Sequence, residues 1–384
     1  MAAARAYLDW NATTPVHPAA KAAVVAALDC LGNPSSVHAE GRAARAMMEQ
    51  ARAEVAALVG GEAENVVFTS GATEAANALF RAGLSGCCGK DIAGNPRPVV
   101  SAIEHAAVIA AAGPEAAVVP VDGRGIVDVD ALEAMLAAGG PALVAIQIAN
   151  NETGVVQDIP ALAGIVHASG GAVIVDAVQG PGKLPIEFAA LDADAIVLSA
   201  HKFGGPKGVG AIVFRDSRTR LARAFIGGGG QERGQRGGTE NLSGIAGMGA
   251  AARAVLEARE VPHKMIQLRD EFESRLNRLA EDVVIVGQGA ARLVNTTCFA
   301  VPGLAAEKAL IAFDLDGVAV SSGSACSSGK VKASHVLAAM GQPEWVKAGA
   351  IRVSIGPATE WNELERCLSS LERQLARRSK ASAA

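Results

Sequence analysis

The chain has 384 residues, 50% of them hydrophobic and 19% charged, which suits a large folded unit plus a smaller one and excludes a disordered chain. Its net charge of -4 is spread over interspersed signs with no basic patch, so nucleic acid is not an expected partner. No stretch of about 18 apolar residues occurs and the N-terminal run to Pro15 lacks signal-peptide character, so no membrane contact and a cytoplasmic location are expected.

From residue 66 to about 215, short apolar runs alternate with helix-like stretches, the pattern of βαβ units. This predicts an α/β fold with a mainly parallel sheet covered by helices on both faces. Val66-Val67-Phe68 enters Thr69-Ser70-Gly71-Ala72-Thr73-Glu74, where a helix begins. Free N–H groups, the helix dipole and the Thr73 hydroxyl would make a phosphate cup, although an ordinary capped helix start has the same appearance. The run from Val99 to Ile103 leads into Glu104-His105, and a histidine there stacks on a flat ring, shuttles a proton or serves structure alone. Leu143-Val144-Ala145-Ile146 ends at Asn150-Asn151-Glu152, which also reads as a simple turn.

Val173-Ile174-Val175 ends at Asp176, with Gln179 one turn later. A carboxylate closing a buried strand calls for a cation, and a protonated pyridine nitrogen is one; a helix cap is the other explanation. Ile196-Val197-Leu198 ends at Ser199-Ala200-His201-Lys202, followed by Gly204-Gly205-Pro206-Lys207-Gly208. A lysine in apolar surroundings loses basicity and suits a Schiff base, whereas a snorkelling surface lysine needs no role. Lys207 competes for the same assignment, and no P-loop pattern fits this turn. The order phosphate cup, histidine, asparagine, aspartate and lysine, each at a strand exit, carries more information than any member alone.

Past residue 240 a helical stretch spans 245–279 with an interruption near Pro262. Strand-like runs at 283–286, 296–301 and 351–355 and helices at 306–313 and 331–340 follow. Trp361, Leu364, Leu368, Leu371 and Leu375 recur at spacings of three and four and draw one apolar stripe on a final helix. The expected organisation is a large domain over 15–255 and a small α+β domain made of 1–14 and 256–384.

Several longer motifs point to one family. They are Tyr7-Leu8-Asp9 with Ala12-Thr13-Thr14-Pro15, Gly32-Asn33-Pro34-Ser35-Ser36, Phe68 to Glu74, Asn150 to Gly154, Val175 to Gln179 and His201-Lys202. Arg233 to Asn241, Ser321-Ser322-Gly323-Ser324-Ala325-Cys326 and Ile351-Arg352-Val353-Ser354 complete the set. On these the chain resembles the NifS/IscS-like cysteine desulfurases of the class V aminotransferase family, nearly end to end. The resemblance implies a fold-type I pyridoxal 5'-phosphate transferase with a seven-stranded sheet. It implies that Lys202 holds the cofactor as a Schiff base, Asp176 pairs with the pyridine nitrogen and Gln179 bonds the ring hydroxyl. His105 would stack on the ring and move protons, and Ala72, Thr73, Ser199 and His201 would hold the phosphate. Thr239 would reach the phosphate of a neighbouring subunit, hence a homodimer. Asn151, beside the cofactor, and Arg352 would hold L-cysteine, Arg352 by its carboxylate. Ala200, where many relatives have Gly, and Phe203-Gly204 depart from the pattern without removing a chemical group.

The six cysteines form no CxxC pair, and five of them read as free thiols without a role. Cys326 differs from the rest in its small, polar Ser/Gly/Ala surroundings, with Lys330 and Lys332 near enough in sequence to favour a thiolate. The implied reaction takes sulfur from L-cysteine onto Cys326 as a persulfide and leaves L-alanine. An iron–sulfur scaffold or another sulfur acceptor, in nitrogenase maturation among other pathways, is the implied partner. No stable metal site is expected, Cys326 at most sharing a nascent cluster with that scaffold. The competing expectations are another pyridoxal-phosphate reaction, such as selenocysteine cleavage or transamination, and a mainly non-catalytic assembly scaffold.

Overall fold

The structure, a computed structural model, describes residues 5–87, 90–92, 97–258, 260–322 and 334–382. Strand β1 (Ala6–Tyr7) is followed by helices α1 (Pro18–Leu28) and α2 (Ala39–Leu58). The alternating region then supplies β2 (Val66–Thr69), α3 (Ala72–Ala82), β3 (Arg97–Ser101), α4 (Ala106–Ala112), β4 (Ala117–Val119) and α5 (Val129–Gly139). It continues with β5 (Ala142–Gln147), α6 (Ile159–Ala168), β6 (Ala172–Asp176), β7 (Ala195–Ser199) and β8 (Gly210–Phe214).

Strands β2 to β8 form one seven-stranded sheet in the order β2-β8-β7-β6-β5-β3-β4. Every pairing is parallel except those of β8, which runs antiparallel to both β2 and β7. The alternation of side chains along each strand divides the apolar residues between two faces. Phe68, Val144, Ile146, Val175 and Leu198 pack with Val55 of α2, Leu136 of α5 and Leu162 of α6. Val67, Leu143, Ala145, Ile174 and Val197 pack with Leu79 of α3 and Val108 of α4. Burial on both faces is why these strands read as unbroken apolar runs. Asp128 and Asp158 fix the starts of α5 and α6 by accepting the N–H groups of Ala131 and Ala161.

Beyond β8 come α7 (Leu242–Glu257) and α8 (Val261–Leu279), then β9 (Val284–Ile285), β10 (Thr296–Ala300) and α9 (Ala306–Leu315). β11 (Val318–Ala319), β12 (Ser321–Ser322), α10 (His335–Ala339), β13 (Ile351–Ser354) and α11 (Trp361–Ser382) follow. The interruption expected near Pro262 falls just before it, so the proline occupies the first turn of α8, where its missing N–H costs nothing. A second, antiparallel sheet has the order β9-β10-β13-β12. The N-terminal segment packs beside it: β1 and β11 form a separate two-stranded parallel sheet, and Asp9 bridges to Ser354 of β13. Leu8, Phe272, Phe299, Phe313 and Ile351 make its core, closed by Leu364, Leu368 and Leu371 from the stripe on α11. Of the helix expected over 331–340, residues 331–333 lie outside the described residues.

Candidate active site

A cavity of about 660 Å³ opens at the carboxyl ends of β2, β3, β5, β6 and β7, and Arg352 reaches it from β13. At its β2 end Gly71 is the residue before α3, with φ of 154° and no side chain to cap the helix. A Cβ on Gly210 would come within 2.7 Å of the Gly71 Cα, so only glycine lets β8 approach this turn. The uncapped N-terminus of α3, with Ala72 and Thr73, therefore faces the cavity. Glu74 braces it by accepting the Ser70 N–H at 2.9 Å and Arg236 Nε at 2.9 Å. Against the pull of burial, those bonds hold its carboxyl below the usual range.

Asp176 ends β6, and its Oδ1 accepts the Val178 N–H at 3.0 Å. Burial raises its pKa, with the Val178 bond, His105 and Lys202 opposing. His105 precedes α4 and accepts the Ala107 N–H on Nδ1 at 3.1 Å, which leaves Nε2 as the protonated nitrogen of the neutral ring. Burial pushes its pKa down, Lys202 and His335 add to this, and Asp176 works against it. Behind it the Glu104 carboxyl is fully buried, with Oε1 accepting the Ser101 hydroxyl and the Gln147 N–H at 2.8 Å. Burial raises its pKa to about 8 despite the Ser101 bond, and the neighbouring Asp176 adds to the shift, which favours the protonated carboxyl.

Lys202 follows β7 through the single turn 200–202, and its Nζ donates to the carbonyls of Asn11 at 2.7 Å and Ala12 at 2.9 Å. Lys207 also borders the cavity but is exposed. His201 Nδ1 bonds Thr13 Oγ1 at 3.1 Å, and burial, with Lys202, Lys207 and Lys183 around it, lowers its pKa to about 4. Arg352 is 2% exposed. Its Nη2 donates to Asp9 Oδ1 at 2.6 Å and its Nη1 to the Asn151 carbonyl at 3.0 Å, while Nε has no partner among the described residues. Beside it, burial raises the Glu152 carboxyl to about 7 against its bond to the Ser334 hydroxyl and the Arg352 charge.

The cavity thus brings together Ala72, Thr73, His105, Asn151, Asp176, Gln179, Ser199, His201, Lys202 and Arg352. Thr239 is exposed and does not line it, and Cys326 lies outside the described residues. Sequence reasoning missed Asn11, whose buried side chain and backbone meet Lys202, Lys183, Gln179, Asn295 and Thr296. It also missed Lys183. The polar run from Asp9 to Thr14, unusual beside a buried strand, is the signal that points to the first; Lys183 has none. Among the described residues no cluster of His, Cys, Asp or Glu could hold a metal ion, and no helix is long and apolar enough to cross a membrane.

The family model for class-V aminotransferases matches residues 6–367. The chain belongs to that family. Among its members, a cysteine desulfurase of Cereibacter sphaeroides is 41% identical over 381 residues, covering 96% of this chain and 95% of the relative. The cysteine desulfurase IscS of Dictyoglomus turgidum is 38% identical over 377 residues, covering 96% and 93%. The NifS-like protein of Rickettsia africae superposes with a TM-score of 0.86 at 34% identity, over 96% of this chain and 99% of that one. This class-V chain therefore lies in the NifS/IscS-like cysteine desulfurase group, and its fold is that of the fold-type I transferases.

Proposed function

We propose that this chain takes the sulfur atom of L-cysteine onto Cys326 and releases L-alanine, with pyridoxal 5'-phosphate held on Lys202. The observation that carries the reading is the convergence on one cavity of an amine (Lys202), a half-buried carboxylate (Asp176), an uncapped helix N-terminus (α3) and a buried guanidinium (Arg352). Relatives of this length and identity that are named cysteine desulfurases support it.

The residues fit the cofactor. The Asp176 carboxylate, half-buried at the cavity floor, accepts one backbone N–H, so a protonated pyridine nitrogen would supply the charge its position lacks. The α3 N-terminus, Thr73, Ser199 and His201 form an anion site suited to the phosphate. Bound there, the cofactor would supply a carbonyl for the substrate amine and a sink for electrons released at the substrate Cα. Lys202 would then remove the Cα proton, and Asp176 would keep the ring nitrogen protonated. Gln179 would bond the ring hydroxyl. His105, with Nδ1 already committed, would pass protons through Nε2. Arg352 and Asn151 would hold the substrate carboxylate. The Cys326 thiolate would attack the substrate sulfur: the S–S bond forms as the C–S bond breaks, the carbon fragment keeps the electron pair, takes up a proton and leaves as alanine.

The other cysteines support the choice of Cys326. None lines the cavity among the described residues, and burial pushes the Cys298 and Cys367 thiols up to about 12. The same reading takes the protein as a cytoplasmic homodimer in which Thr239 completes the partner's phosphate site. It divides the chain into a large domain (15–255) and a small one (1–14 with 256–384), and it sends the persulfide to an iron–sulfur scaffold or a similar acceptor. The test is product analysis of the purified protein with cofactor and L-cysteine. Equimolar alanine and Cys326-bound sulfur are expected; a keto acid in place of alanine would overturn the assignment.

A further inference from the structure

Lys183 is a buried lysine that the proposed reaction does not use. Two turns after β6 bring it back over Gln179: the Gly180 N–H bonds the Ala177 carbonyl at 2.8 Å and the Lys183 N–H bonds the Gly180 carbonyl at 3.0 Å. Its side chain is 6% exposed. The amine donates to Gln179 Oε1 and, at 3.3 Å, to Asn11 Oδ1. Burial drives its pKa well below that of an ordinary lysine, and the charges acting on it, Lys202 and Arg352, are both cations. His201 feels it in turn, and Asn295, which shares Asn11 Oδ1, is neutral. Whatever its charge, the amine serves here as a hydrogen-bond donor to two side-chain amide oxygens.

The consequence falls on Gln179. Its amide oxygen is committed to Lys183 and one amide N–H to the Asn11 carbonyl at 3.1 Å, which leaves the second N–H for the cavity that Gln179 lines. We propose that Lys183 is a positioning residue that fixes this orientation of the Gln179 amide, so that a donor and not an acceptor meets the cofactor's ring oxygen, and thereby sets the basicity of the nitrogen of Lys202 when it holds the cofactor. The inference rests on the proposed function and adds a residue to it. A donor to the ring oxygen favours its anionic form and lowers the pH at which the Lys202 nitrogen gives up its proton. With Lys183 gone only the Asn11 carbonyl still holds the amide, which turns its oxygen inward more readily, and that pH rises.

The test is a pH titration of the visible absorbance of the cofactor-loaded protein, compared between the unsubstituted chain, Lys183→Met, Gln179→Leu and the double variant. Lys183→Met is expected to raise the midpoint by about 0.5 to 1 pH unit, the worth of one hydrogen bond. In the Gln179→Leu background the same change should move it no further. An unmoved midpoint in Lys183→Met, or an equal shift in both backgrounds, would overturn the proposal, the second because the effect would then not pass through Gln179. Should Lys183→Met fail to fold, Lys183→Gln keeps an N–H donor without charge, and its midpoint should rise by less than half the shift of Gln179→Leu. A rise as large as that of Gln179→Leu also refutes the idea. Absence of colour in the unsubstituted protein is a separate result, and it would sink the proposed function.

Discussion

Replacing Arg352 by lysine separates substrate recognition from chemistry. The guanidinium divides its donors: Nη2 serves Asp9 at 2.6 Å, Nη1 serves the Asn151 carbonyl at 3.0 Å, and Nε is unpartnered among the described residues. That leaves donors for an incoming carboxylate while Asp9 keeps the plane of the group fixed. A lysine has one ammonium, which would stay on Asp9 or turn to the substrate but could not hold both in that geometry. A charge-assisted bond to a carboxylate is worth about 1.5 to 3 kcal/mol, so KM for L-cysteine should rise roughly 10- to 100-fold. The same contact exists before and during the reaction, so kcat should fall by less than about 5-fold. Alanine formation against cysteine concentration measures both. L-Cysteine methyl ester is the control, because it lacks the carboxylate and should be handled almost equally by the two proteins. An unchanged KM for cysteine, or an equal rise for the ester, would show that Arg352 does not grip the carboxylate.

Lys202→Ala should remove the visible colour of the cofactor-loaded protein, whereas Lys207→Ala, at an exposed position, should keep it; an absorbance scan decides between them. Cys326→Ala should retain that colour yet lose alanine formation by about 100-fold or more, read in the same product assay, because the thiol acts after the cofactor is in place. Glu104 gives a pH dependence of stability. Its folded pKa of about 8 lies above the ordinary value of 4.5, so the folded state binds a proton that the unfolded chain releases, and stability falls as pH rises through that window. The slope is about 1.4 kcal/mol per pH unit for this group, and Glu104→Gln should remove it, as urea unfolding at pH 5, 6.5 and 8 would show.

The parts of the site legible in the sequence are those where chemistry and strand end are adjacent. Asp176 and Lys202 each follow an apolar run, so local pattern alone places both at the carboxyl edge of a parallel sheet. The five strands read at residues 66, 99, 143, 173 and 196, and their order of chemistry, rest on the same regularity, whereas the count of seven comes from the family resemblance. The reversal of β8 was not legible: Gly210–Phe214 has the composition of its parallel neighbours, and direction is set by the connection, not by the residues. Helices α1 and α2 drew no prediction, since alanine fills both their buried and exposed positions and blurs the stripe. Asn11 and Lys183 were hidden for another reason. They are 172 residues apart and act only because the N-terminal segment folds back over the turns after β6.

That return of the N-terminus explains the electrostatic character of the cavity. Burial biases the side chains in and around it toward uncharged forms: Asp176, Glu104 and Glu152 are pushed up, while His105, His201 and Lys183 are pushed down. Asp9, carried in on the N-terminal segment, pairs with Arg352, and Lys202 lies against two main-chain carbonyls of the same segment. On the proposed reading, three of its groups meet complementary parts of the ligand: Asp176 a ring cation, Arg352 a carboxylate, the α3 N-terminus a phosphate. A ligand lacking any of the three would leave one of these groups desolvated with part of its hydrogen-bonding capacity unmet. Selection by such unpaired groups is steep, which is how a fold shared with many other reactions can be narrowed to one cofactor and one amino-acid substrate.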